Sequence, residues 1–221
     1  ASRYADCVII CYENARKDFP DNKVLLLGNP RATLASKHAF NQASFDALGL
    51  DSSKPLGLIV MGSLGSSSVA HKLKEILPNI QDVNFLYVAG KNNIESAQEL
   101  VADNVKVVDY VDQLAIIDAF DFVICRAGAT TAAELAASGT LSILIPSPFV
   151  ANNHQYYNAK AMVDDGYAFM IEEKDVDEKH LQDYIETYIC KPDLAKKMKE
   201  AAIAHGFQDA CQNIVEVIEK I

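Results

Sequence analysis

The chain has 221 residues, half of them hydrophobic, enough to bury a full core, and one domain is the default expectation. With 30 acidic against 20 basic residues the net charge is -10, which leaves no basic stripe for a nucleic-acid partner but does not exclude a local positive pocket for a small anion. The five cysteines are an odd number and form no Cys-x-x-Cys pair, and Cys7 and Cys11, four apart, have no nearby histidine to complete a zinc set, so a reduced, cytosolic compartment fits best.

The opening residues ASRYADCVIICYENA lack an initiator Met and a secretory signal and enter a strand almost at once, so an N-terminal part is expected to be missing. No apolar run is long enough to cross a bilayer. Short β-rich apolar runs predict strands at 7–10, 24–27, 58–61, 84–88, 105–108, 122–125, 141–145 and 167–170. Helical patterns occupy 66–77, 94–102, 113–119, 131–138 and 154–164, and the tail reads as three helices over about 178–189, 192–204 and 208–220. The strands are continuously apolar rather than alternating, as expected when both faces are covered. The predicted fold is therefore an α/β, Rossmann-like parallel sheet with helices on both faces. A polar stretch at 49–54, followed by Pro55, reads as a linker at a domain edge.

Ligands of such sheets bind at the carboxyl ends of the strands, which selects five loops. Gly28-Asn29-Pro30-Arg31 offers a guanidinium fork for phosphate, although alone it reads as a surface arginine. Met61-Gly62-Ser63-Leu64-Gly65-Ser66 leads into a helix whose N-terminus suits an anion, and serves equally as a plain turn. In Asp109-Tyr110-Val111-Asp112 the backbone can meet a flat base edge, or Asp112 can simply cap the next helix. In Arg126-Ala127-Gly128-Ala129-Thr130-Thr131-Ala132-Ala133-Glu134, the glutamate can hold a ribose diol. The spacing Thr131-x-x-Glu134 is also that of a capping box, and spacing alone favours the cap. The segment 146–159 carries Asn152, Asn153, Gln155 and Asn158, an amide cluster suited to sugar hydroxyls, together with His154, which is also readable as a polar helix-start residue.

Taken in order, Gly28-Asn29-Pro30-Arg31, Gly62-Ser63-x-Gly65, Tyr110-Val111-Asp112, Cys125-Arg126-x-Gly128-Ala129-x-Thr131-x-x-Glu134 and His154-Gln155-x-x-Asn158-Ala159 make the chain similar to the MurG family. These are the UDP-N-acetylglucosamine:lipid I N-acetylglucosaminyltransferases of peptidoglycan synthesis. The likeness covers nearly the whole chain and matches that family's C-terminal half. It implies a donor-binding domain over 51–221, half of a GT-B fold, preceded over 1–50 by a segment crossing from a missing N-terminal domain. Met61 stands where the family usually has glycine, and Ala127 where it often has serine.

The resemblance implies that Arg31 and Ser63 contact the diphosphate and that Val111 meets uracil through its backbone. Ala129, Thr130 and Thr131 would line phosphate and ribose, Glu134 would hold the ribose hydroxyls, and Gln155 would read the sugar with His154 and Asn158 close by. It also implies an inverting transfer without metal or cofactor and a general base on the missing domain. The acceptor would be lipid-linked and bound through that domain, and the enzyme peripheral at the cytoplasmic face of the plasma membrane. The alternatives are the donor-binding subunit of a split transferase and a UDP-sugar epimerase-like enzyme on the same architecture.

Overall fold

The computed structural model describes residues 4–62, 67–90 and 93–221. Strands β1 (Val8–Ile10) and β2 (Val24–Leu26) pair in parallel as a small separate sheet. Two helices follow that the apolar pattern does not predict, α1 (Pro30–Ser36) and α2 (Gln42–Asp46). In α1, Asn29 caps the start by accepting the Arg31 N–H at 3.0 Å, and Pro30 occupies the first helical position. Its inner face is alanine: Ala32 and Ala35 are fully buried against Ala137, so no large apolar residue marks the period.

The main sheet holds β3 (Leu56–Val60), β4 (Asn84–Val88), β5 (Val105–Val108), β6 (Phe122–Cys125), β7 (Ser142–Leu144) and β8 (Phe169–Met170). All are parallel, in the order β5-β4-β3-β6-β7-β8. The connecting helices are α3 (Ser67–Ile76), α4 (Ile94–Ala97), α5 (Gln113–Ile116), α6 (Ala129–Ser138) and α7 (His154–Asp164), followed by α8 (Glu178–Cys190), α9 (Pro192–Ala204) and α10 (Ala210–Ile218). Every expected strand is present. The helices expected over 94–102 and 113–119 are shorter and finish in 3₁₀ turns, Gln98–Leu100 and Ile117–Ala119.

Alternation along each strand sends successive side chains to opposite faces. Phe122 and Ile124 of β6 join Ile59, Phe85 and residues of α3 and α8 in one core layer. Val123 and Cys125 join Leu58, Leu86, Leu144 and residues of α6 and α7 in the other. Helices thus cover both faces, which is the Rossmann-like arrangement. β3 begins two residues before the apolar run suggests because Gly57 lies in register between Phe85 and Phe122, and a Cβ there would stand 2.8 Å from each ring.

Two side chains tie the outer layers to the sheet in ways that can be measured. The buried Tyr188 hydroxyl of α8 donates to the Ser142 carbonyl at 2.7 Å, while its ring stacks on Phe169 at 5.0 Å between centroids. Tyr188→Phe keeps the packing and leaves that bond unmade, so urea unfolding is expected to show a loss of about 1–3 kcal/mol. His38, after α1, contacts the Ala35 carbonyl through Nδ1 and the Asp118 carboxylate through Nε2 at 2.9 Å. Burial works to lower its pKa, but the Ala35 carbonyl and Asp118 outweigh it and the net shift is upward. A folded pKa above the unfolded one contributes stability that is full below the ordinary histidine value and lost as pH rises through the raised one. The urea midpoint of the native chain should therefore fall relative to that of His38→Gln as pH is taken from about 6 to about 8. Parallel curves would exclude the contact as a contributor.

Candidate functional site

The chain runs outward from β3 through β4 to β5, then returns to the middle and runs the other way from β6 to β8. The order therefore reverses between β3 and β6, and the loops leaving the carboxyl ends of the strands part there to form a crevice. A cleft of about 290 Å³ lies at this end, walled by Val60, Gly62, Val88 and Gly90 at the ends of β3 and β4 and by residues 109–114 after β5. Arg31 and Glu134 close its other side. Thus α1, the β5–α5 loop and α6, which lie far apart in the chain, bring Arg31, Val111 and Glu134 to one place.

Arg31 and Glu134 are paired directly. Arg31 Nε donates to Glu134 Oε1 at 2.6 Å, and Nη2 lies 2.5 Å from the same oxygen. The carboxylate is nearly buried, whereas the arginine side chain is 48% exposed. The close approach of α1 and α6 over small residues makes this reach feasible: Ala32 and Ala35 meet Ala137, one turn beyond Glu134. Arg31 is thus more than the isolated surface residue its local sequence suggests.

The capping-box expectation is corrected. α6 begins at Ala129 with Gly128 at the N-cap position and no capping side chain, so Thr131 is already inside the helix and Glu134 lies beyond its first turn. The cap is absent because the chain enters the helix three residues earlier, freeing Glu134 to face α1. Ala129 and Thr130 are exposed and Thr131 is half-buried at this N-terminus, whose first N–H groups therefore have no side-chain acceptor from the cap residue. Asp112 does occupy the N-cap position of α5, without a side-chain bond to the helix. Ser63 lies outside the described residues. The Met61 side chain is buried in the core, so the departure from glycine there adds nothing to the cleft wall.

The amides at the start of α7 divide into two groups. Asn152 and Asn153 adopt left-handed backbone, φ 54° and 51°, a conformation that asparagine tolerates better than most residues, so they serve the turn itself. His154 is exposed, with Nδ1 2.9 Å from the Ala151 carbonyl. Gln155 Oε1 accepts the Ser147 N–H at 2.9 Å, and Asn158 Nδ2 donates to the Ala127 carbonyl at 3.0 Å. Asn158 therefore holds the β6–α6 turn from α7. Neither these amides nor His154 line the 290 Å³ cleft. The local sequence gave no sign of Gln113, which lines the cleft and has a buried amide nitrogen without a hydrogen-bond partner among the described residues. Burial pushes the Cys125 thiol up to about 12, which leaves it inert as a nucleophile. Among the described residues no three His, Cys, Asp or Glu side chains converge as a metal site.

Residues 58–214, from β3 into α10, match the model of the glycosyltransferase family 28 C-terminal domain. The chain belongs to this family. It is 37% identical over 231 residues to a Bacillus cytotoxicus protein named UDP-N-acetylglucosamine--N-acetylmuramyl-(pentapeptide) pyrophosphoryl-undecaprenol N-acetylglucosamine transferase, covering all of this chain and 62% of that protein. It is 35% identical over 225 residues to the protein of the same name from Listeria welshimeri, covering 98% of this chain and 62% of that one. The chain thus spans 62% of the length of these relatives. Among solved structures, Acinetobacter baumannii MurG superposes with a TM-score of 0.77 at 26% identity, over all of this chain and 62% of that one. A putative UDP-N-acetylglucosamine 2-epimerase from Listeria monocytogenes reaches 0.72 at 13% identity, over 97% and 58%, a likeness of fold alone.

The fold of this family 28 domain is one Rossmann-like half of a GT-B glycosyltransferase. Among its described residues no helix is long and apolar enough to cross a membrane.

Proposed function

We propose that this chain is the UDP-N-acetylglucosamine-binding half of an inverting, metal-independent glycosyltransferase that converts lipid I to lipid II in peptidoglycan synthesis. The observation that carries the reading is the meeting of Arg31, Val111 and Glu134 in one cleft at the switch point of a parallel sheet. In this reading residues 51–221 are the donor domain and 1–50 the crossover to a domain that supplies the general base, the lipid-linked acceptor contacts and attachment to the cytoplasmic face of the membrane. Val111 meets uracil through its backbone. Glu134 accepts the ribose hydroxyls on the carboxylate oxygen that Arg31 does not occupy, and Arg31, at 48% exposure, can swing toward the diphosphate with Ser63. The uncapped start of α6, at Ala129, Thr130 and Thr131, presents N–H groups and the positive end of the helix dipole to the same anion. As bonds to UDP strengthen while it departs, these groups stabilise the leaving charge. Gln155, His154 and Asn158 frame the sugar from α7.

The test is isothermal titration of the chain with UDP-N-acetylglucosamine and with UDP. Saturable binding is expected, with no lipid II formed by the chain alone. A folded sample that ignores UDP at about millimolar concentration, the weak end of specific recognition, would overturn the assignment.

A further inference from the structure

Just past the carboxyl ends of β6 and β7 lies a buried charge cluster that the donor reading leaves unused. Glu173 begins the 3₁₀ segment Glu173–Asp175 after β8. Its Oε1 accepts the Ser68 hydroxyl at 2.5 Å, and its Oε2 lies 2.6 Å from Arg126 Nη2, the two charged side chains being 10% and 11% exposed. Among the described residues Oε2 has no directed hydrogen bond, so its contact with Arg126 is ionic. Arg126 Nη1 donates to the Ile145 carbonyl at 3.0 Å, and Lys72 Nζ donates to the Glu173 and Lys174 carbonyls at 2.9 and 2.8 Å. Ser68 lies in the first turn of α3, Arg126 directly follows β6, and Ile145 directly follows β7. One carboxylate therefore joins the start of α3, the turn that opens α6 and the end of the sheet.

A buried ion pair is a weak source of stability, because desolvating both charges offsets their attraction and apolar packing of equal volume does as well. Its distinctive effect is geometric, since it is favourable only when both partners keep their places. The places fixed here are the two helix starts that flank the switch point between β3 and β6. We propose that Glu173 is a positioning residue for the diphosphate of the bound nucleotide, setting the first turn of α3 against the Arg126–Gly128 turn so that both helix starts address one anion. The inference rests on the nucleotide-sugar reading of the cleft.

The experiment titrates the chain and its Ser68→Ala and Glu173→Gln variants with UDP and with uridine, which lacks the diphosphate. Both variants should raise the Kd for UDP about fivefold or more, the worth of one lost hydrogen bond or charge contact, and leave that for uridine unchanged. Ser68→Ala removes a single hydroxyl from a residue that is itself exposed, so it carries the test if Glu173→Gln fails to fold. UDP and uridine weakened alike, or neither weakened, in a folded variant would overturn the positioning role while the nucleotide reading stands. Failure of the unaltered chain to bind UDP would overturn both.

Discussion

Replacing Glu134 with alanine is expected to raise the Kd for UDP by about 10- to 150-fold, equivalent to about 1.5–3 kcal/mol for hydrogen bonds to a charged group. The carboxylate has two separable tasks. Oε1 is taken by Arg31, while the ribose is proposed to bind the rest of the carboxylate. If Glu134 holds the ribose, uridine should lose affinity by a similar factor. If it only aims Arg31, the loss should appear with UDP, spare uridine and be reproduced by Arg31→Ala. Folding should suffer little in either case, because the arginine left behind is 48% exposed and remains hydrated. Native-like binding of both ligands by Glu134→Ala would remove this residue from the site.

Gly28→Ala should produce a large loss of stability. Gly28 joins β2 to α1 with φ 78°, and its N–H donates to the Ile10 carbonyl at 3.2 Å. A Cβ there would collide with Cβ and Cγ of Phe207, a residue itself held at φ 43° between α9 and α10. The left-handed backbone costs an alanine about 1–2 kcal/mol and overpacking adds about 1–3, so about 2–5 kcal/mol in all. At about 2–4 °C per kcal/mol for a chain of this size, the Tm should fall by about 4–20 °C. Gly62→Ala is the control. Its φ is 82°, yet among the described residues a Cβ there would have nothing within 4 Å, so the backbone cost of about 1–2 kcal/mol is expected. Equal losses in the two variants would show that the Phe207 contact is not what requires glycine at position 28.

The strands of the main sheet were legible in the chain because that sheet is covered on both faces, which demands an unbroken apolar run such as Phe122–Cys125 whatever its neighbours are. The long tail helices were legible for the same local reason, since α8 and α9 each keep a buried stripe at helical spacing. The five loops worth examining followed from those strands by the carboxyl-end rule alone. By contrast α1 was hidden, because its buried face is alanine and leaves no hydrophobic period. The capping-box reading of Thr131-x-x-Glu134 failed for a related reason. The spacing Thr131-x-x-Glu134 specifies a cap only if the helix starts there, and the start is set at Gly128 by the preceding strand and turn. Which charges meet was beyond any local pattern. Arg31 reaches Glu134 across 103 positions, and Ser68 reaches Glu173 across 105. Periodicity records which face of an element is buried. Partners so distant are chosen by strand order and helix packing, and these exist only once the sheet has closed around its two cores.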